Sequence, residues 1–254
     1  AQFGDYRQRP FFELAARVRA ERPRTVVDLG CGPGTLTAAL ARRWPEAEVL
    51  GIDSSPEMVG RAQSLPDAPA NLRFAAGDIA GWMPAPGTDV IISNAALHWV
   101  PGHRDLMARW LAALAPGAWL AVQVPGNFAA PSHALMRSLA ASERWAPRLR
   151  RDALRGALGA DAADEPVRYL ETMLDGGAEA DVWETTYHQV LHGPAPVLDW
   201  VRGTALRPVL AALDPLDAEG FEADYAALLD AAYPATAHGT AYPFRRIFAV
   251  GRKR

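Results

Sequence analysis

The chain has 254 residues, half of them hydrophobic, with a formal net charge of −3 and a pI near 6.1. That length admits one α/β domain with an elaboration or two small domains, and with no basic surplus no nucleic-acid partner is expected. Cys31, the single cysteine, excludes an internal disulfide and a cysteine-based zinc site, and is compatible with a reducing cytoplasm, the expected location.

Arg9 to Ala20 reads as an amphipathic helix ahead of a sheet. Strands follow at Thr25–Leu29, Glu48–Asp53, Asn71–Ala75, Asp89–Ser93 and Trp119–Val124, with helices at Thr35–Arg43, after Ser54-Ser55-Pro56 and at Asp105–Leu114. Ser55 before Pro56 fits an N-cap followed by proline at the first helical position. Strict strand–helix alternation predicts a parallel sheet with helices on both faces. Beyond Pro125 the texture changes: residues 127–177 read as helical, Asp181–Leu191 as a strand, residues 195–232 as helical again, and Ile247–Val250 as a short closing strand. The expected organisation is a core over 1–126, a helical cap insertion over 127–178, a core strand over 179–193, a second insertion over 194–240, and a final strand and tail over 241–254. Such a cap excludes water from a small polar substrate.

No apolar run reaches the ~18 residues of a membrane span, and the start carries no basic-then-apolar signal pattern, so no membrane partner is expected. The first residue is Ala1 rather than Met, and further residues are expected ahead of it. No His/Asp/Glu cluster has ligand spacing, so no metal is expected. The sequence offers no basis for an oligomeric state.

The chemistry concentrates at Val26-Val27-Asp28-Leu29-Gly30-Cys31-Gly32-Pro33-Gly34. An apolar run ends in an acid, three glycines follow at alternate positions, and a helix begins. This is a turn over which a ligand approaches bare backbone at the tip of a parallel strand. A second apolar run ends in Asp53, 25 residues past Asp28, at the offset where such folds place a carboxylate for ribose hydroxyls. The spacing Gly30-x-Gly32-x-Gly34 is not that of the dinucleotide fingerprint. An acid at the turn repels a pyrophosphate but suits an ammonium. S-adenosylmethionine (SAM) has an ammonium, a sulfonium and a ribose, and no phosphate. Cys31, inside the turn, reads as a small buried side chain rather than a nucleophile.

The stretch Asp28 to Thr35 resembles motif I of the class I SAM-dependent methyltransferases. The likeness widens through Arg7 to Leu14, Ile52 to Met58, Ser93 to Pro101, Ala121 to Asn127, Asp181 to Tyr187 and Phe244 to Phe248. Over this length the chain resembles the trans-aconitate 2-methyltransferase family. The resemblance implies a Rossmann-like seven-stranded sheet with a helical cap from insertions around strand six. It also implies methyl transfer from SAM to a carboxylate of trans-aconitate or a similar small polycarboxylate, leaving S-adenosylhomocysteine (SAH). One departure is His98, where the family also carries Gln.

Asp28 and the turn Gly30, Cys31, Gly32 and Gly34 are assigned to the methionine end of SAM, Asp53 to the ribose, and Ser54 and Met58 to the flanks of ribose and adenine. The resemblance places Asp78 and Ile79 against the adenine. Asn94, with His98 and Trp99 at the tip of strand four, is expected beside the reacting methyl. For the acceptor carboxylates, Arg7, Arg9, Arg207 and Arg246 are guanidinium candidates and Tyr187 a hydroxyl donor. Surface ion pairs are the competing role for the arginines, backbone capping for His98, and turn chemistry for Asp78. A hydroxyl, amine or carbon acceptor, with His98 as base, stays open at this point. So do a non-catalytic SAM-binding protein and an NAD-dependent oxidoreductase.

Overall fold

Val26, Val27 and Leu29 are apolar on both sides of the strand they form, the pattern of a strand covered on both faces. In the structure, a computed structural model that describes residues 4–149, 159 and 162–254, they belong to β1 (Thr25–Leu29). The first half of the chain then alternates as α2 (Thr35–Arg43), β2 (Glu48–Asp53), α3 (Pro56–Gln63), β3 (Leu72–Ala76), β4 (Val90–Asn94), α4 (His103–Ala113) and β5 (Trp119–Pro125). Short 3₁₀ turns at Ile79–Gly81 and Leu97–Trp99 follow β3 and β4. Helix α1 (Gly4–Arg17) precedes them, starting earlier than the expected Arg9 and carrying Pro10 inside it.

The remainder comprises α5 (Pro131–Ala140), α6 (Pro166–Asp175), β6 (Ala178–Leu191), α7 (Pro196–Arg202), α8 (Leu206–Ala211), α9 (Pro215–Ala232), β7 (Ala235–Thr236) and β8 (Gly239–Lys253). The sheet order is β3-β2-β1-β4-β5-β8-β6, with β7 paired to β8. This is the mixed α/β fold expected, with eight strands in place of seven and a closing strand of 15 residues rather than the four of Ile247–Val250. Gly239, Thr240 and Pro243 mask its beginning, and its buried pattern does not alternate cleanly.

Two compact units divide the chain. The first comprises residues 1–124, 164–184 and 246–254, and the second 125–163 and 185–245. Helix α6, expected in the first insertion, belongs to the first unit, where α4 packs against it. Residues 150–158, 160 and 161 of that expected insertion lie outside the described residues. In the first unit, Val26, Val90, Ile91, Ile92, Leu120 and Ala121 are fully buried. Burying such side chains is worth about 1.5–3 kcal/mol for each large one, against about 0–1 kcal/mol for an exposed ion pair such as Arg17–Asp181. Central-strand burial therefore holds the sheet. The second unit has its own core, with Trp145, Phe221, Tyr225 and Tyr242 buried among α5, α7 and α9. Among the described residues, no helix is long and apolar enough to cross a membrane.

Candidate functional site

The order reverses at β1, which has β2 on one side and β4 on the other, both parallel to it. Such a switch point leaves a crevice at the carboxyl ends of the strands. The register decides which side chains share it. Asp28 lies opposite Gly51 and Ile92, and Asn94 lies opposite Gln123. Two residues on from Gly51 is Asp53, and two on from Ile92 is Asn94. With a period of two, Asp28, Asp53, Asn94 and Gln123 stand on one face of the sheet.

The turn after β1 is fixed by backbone. Gly30 and Cys31 donate N–H bonds to Ile52 O at 2.8 and 3.1 Å, and Gly34 N–H donates to Cys31 O at 3.1 Å. Gly30, Gly32 and Gly34 all have left-handed φ values, 78°, 54° and 79°. The three differ in surroundings. A Cβ on Gly30 falls 2.2 Å from Ala96 Cβ, and one on Gly34 falls 2.5 Å from Phe74 Cζ. One on Gly32 meets nothing within 4 Å. Open space above a bare peptide, floored by packed neighbours, is what a ligand's close approach requires.

Asp53 ties this turn to the next. Its Oδ2 accepts from Gly32 N–H at 2.8 Å and its Oδ1 from Ser55 N–H at 2.9 Å. Each oxygen keeps a lone pair for a hydroxyl donor. Ser55 caps α3 by accepting from Met58 N–H at 3.3 Å, with Pro56 at the first helical position. Ser54 is exposed and Met58 half-buried on this rim. After β3, Asp78 Oδ1 accepts from Ala80 N–H at 2.9 Å, capping the 3₁₀ turn, while Ile79 is buried against Gly30.

Asp28, assigned to the methionine end of SAM, is a buried acid. Its carboxylate lies under the turn, 3% exposed, and its Oδ2 accepts from Thr37 Oγ1 at 2.6 Å. Burial first, with the nearby Asp53 charge adding to it, raises its pKa to about 6 despite the Thr37 bond. The native state therefore holds this proton more tightly than the unfolded chain does. The stability it contributes falls as pH rises from the ordinary carboxylate value toward 6. Cys31 is buried, and its thiol is pushed up to about 12 by burial and then by Asp28 and Asp53. It is no nucleophile at neutral pH.

After β4, Ala95 adopts φ 55° and donates its N–H to Gln123 O at 2.9 Å. A left-handed alanine costs about 1–2 kcal/mol; such strain gathers at functional sites. Asn94 Oδ1 and both amide atoms of Gln123 are buried with no hydrogen-bond partner among the described residues. Nothing in the residue types signalled Thr37 or Ala95 in advance, and Gln123, within the Ala121–Asn127 stretch of the family resemblance, had no role assigned to it. The His98 ring tilts over Trp99 at 4.8 Å, and Trp99 is 45% exposed.

The assigned cofactor residues thus meet at one end of the first unit. The acceptor candidates are not gathered in one unit. Arg9 is exposed on α1 and Arg246 is buried in β8, both in the first unit; Tyr187 is buried in β6 and Arg207 exposed on α8, both in the second. Arg7 belongs to α1, and its side chain lies outside the described part.

A methyltransferase domain model matches residues 26–117. A trans-aconitate 2-methyltransferase from Streptomyces avermitilis is 53% identical, covering 98% of this chain and 93% of its own. Proteins of the same name from a Mycobacterium species and from Rhodococcus jostii are each 51% identical, with 98% of this chain and 96% of theirs covered. Among solved structures, the YcgJ protein of Bacillus subtilis aligns with a TM-score of 0.61 at 16% identity, covering 97% of this chain and 99% of that one. A SAM-dependent methyltransferase from Mesorhizobium loti aligns with a TM-score of 0.52 at 18% identity, covering 96% and 97%. At those identities the structural likeness speaks for the fold.

Proposed function

The chain belongs to the trans-aconitate 2-methyltransferase family, and on that premise we propose that it methylates a carboxylate of trans-aconitate or a related small polycarboxylate, using SAM. The observation that carries the reading is the acidic, phosphate-averse turn with open space above Gly32 and Asp53 beside it. Bound there, SAM supplies a methyl group on a positively charged sulfur, with no metal or redox step implied by the displacement.

With SAM held there, an ionised carboxylate oxygen of the acid would form the new O–C bond as the S–C bond broke, the electron pair leaving with sulfur. The products are a monomethyl ester and neutral SAH. A carboxylate with a pKa of about 4 is already ionised at pH 7 and needs no base. The protein's contribution is alignment, which supplies up to about 7–11 kcal/mol of the barrier lowering. Asp53 holds the ribose hydroxyls, its carboxylate oriented by Gly32 and Ser55. Asp28, under the turn, favours the cationic ammonium through its field. Asp78 and Ile79 receive the adenine. Asn94 offers an uncharged amide beside the reacting atoms, where a guanidinium would draw electron density from the nucleophile. Arg7, Arg9, Arg207, Arg246 and Tyr187 are assigned to the carboxylates that do not react. The acceptor is a free small molecule, and a cytoplasmic location suits it.

His98→Ala tests the acceptor class. With trans-aconitate as substrate, kcat/KM falls less than about tenfold and its pH profile keeps its shape. A loss of about 10²–10⁴-fold, the usual value of general-base catalysis, with a changed pH profile would assign His98 as base and a hydroxyl-type acceptor instead.

A further inference from the structure

The first unit has a second concavity, at the end of its sheet away from the crevice. A cavity of about 740 Å³ opens between the segment leading into β1, the starts of β4, β5 and β6, and the end of β8, all within that unit. Its volume lies in the range of small-molecule sites, about 300–1,000 Å³. The length of β1 separates it from the glycine turn, roughly 16 Å at about 3.3 Å for each residue. Backbone bonds fix its frame. Thr25 O accepts from Asp89 N–H at 3.0 Å, Asp89 O from Trp119 N–H at 2.8 Å, and Lys253 O from Gly117 N–H at 2.8 Å. The segment ahead of β1 is pinned by the end of α2 and the residue after it: Val18 O accepts from Arg43 Nη2 at 2.6 Å and Ala20 O from Trp44 Nε1 at 3.0 Å.

The charges on this frame do not balance. Asp181 pairs with Arg17 at 2.7 Å and Glu179 with Arg254 at 4.0 Å. Asp89 Oδ2 accepts from the Arg24 and Thr25 N–H groups at 2.7 and 3.2 Å, with the Arg24 guanidinium 3.7 Å away. Arg19, Arg22 and Arg252 also line the cavity, and none of them enters an ion pair among the described residues. Against these three guanidiniums stands one carboxylate in the same condition, Glu21. The three are exposed, so each alone attracts an anion weakly. Together in one concavity they leave a positive surplus, and a cleft with a surplus of one sign focuses its field on a counter-ion. Guanidinium forks take carboxylate and phosphate oxygens bidentately.

We propose that this cavity binds a small polyanion, with Arg19, Arg22 and Arg252 holding its oxygens. The ligand is compact and carries several carboxylate or phosphoryl groups. It binds with the SAM crevice occupied or empty, because the two sites lie at opposite ends of the strands and share no residue.

Titration calorimetry of the SAH-saturated, full-length protein tests this with two probes, inorganic pyrophosphate and citrate. The wild type binds at least one of them saturably, and more weakly as salt is raised, because the arginines are exposed. Arg19→Gln, Arg22→Gln and Arg252→Gln each weaken that binding about tenfold or more, and the triple variant shows none. SAH affinity stays at the wild-type value in all of them, and the Tm holds or rises as neighbouring like charges are removed. Arg109→Gln removes the same charge from an exposed position on α4 outside the cavity and leaves the affinity unchanged. Pyrophosphate alone assigns the site to a phosphoryl compound, citrate alone to a polycarboxylate, and both to an oxyanion site that accepts either. No saturable binding of either probe overturns the proposal. So does binding that the cavity variants leave intact, as citrate in the acceptor site would show, or that Arg109→Gln weakens equally. None of these results bears on methyl transfer, so the reading of the crevice stands or falls separately.

Discussion

Gly30→Ala abolishes SAM binding, with an affinity loss beyond about 100-fold in titration calorimetry and a lowered Tm. Two costs combine. The residue sits at φ 78°, where an L side chain costs about 1–2 kcal/mol. Its new Cβ also lands 2.2 Å from Ala96 Cβ, where about 3.5–4.0 Å is needed. Neither side yields easily. Gly30 N–H is bonded to Ile52 O at 2.8 Å, and Ala96 follows the strained Ala95, itself held to Gln123 O at 2.9 Å. Relief requires the two loops flanking the crevice to part by more than about 1 Å, which displaces the turn that the ligand covers. Gly32→Ala is the informative control. Its Cβ meets nothing within 4 Å, so the fold survives with only the backbone cost, while the methyl occupies the space assigned to the ligand. SAH binding lost in a well-folded Gly32→Ala protein locates the ligand over that peptide. Full SAH affinity in Gly30→Ala would mean that the turn is not the binding surface.

Asp53→Ala has the second-largest effect, about 100-fold or more in SAM and SAH affinity. The carboxylate accepts from Gly32 N–H at 2.8 Å and Ser55 N–H at 2.9 Å, so removing it releases two backbone donors as well as the ribose contact. Charge-assisted bonds of this kind contribute about 1.5–3 kcal/mol each. Asp53→Asn does little better, because one end of the amide turns an N–H against an N–H donor. Calorimetry with SAH checks both variants. An affinity within about threefold of wild type would remove Asp53 from the cofactor site.

The five parallel strands were legible because each is an apolar run closed by an acid, asparagine, glycine or proline; the order in which they pair was not read from the sequence. The α3 cap was legible as well: Ser55 before Pro56 has few other uses. The closing strand was not, since Gly239 and Pro243 resemble turn residues while pairing with β7 and β6 keeps the segment extended. Asp28 was legible as an acid at the turn, but not as a buried one. Its depth follows from Thr37, nine residues on, whose hydroxyl draws the carboxylate beneath the glycines. Ala95 gave no signal, because an alanine in left-handed backbone is specified by its neighbours and not by its own preference.

The direct measurement is incubation of the protein with methyl-labelled SAM and a panel of tricarboxylic and dicarboxylic acids, followed by mild base. Label passes to trans-aconitate or a close relative, and base releases it as methanol, as an ester requires. Label that survives base, or that reaches none of the acids while SAM still binds, would contradict methyl transfer to a carboxylate.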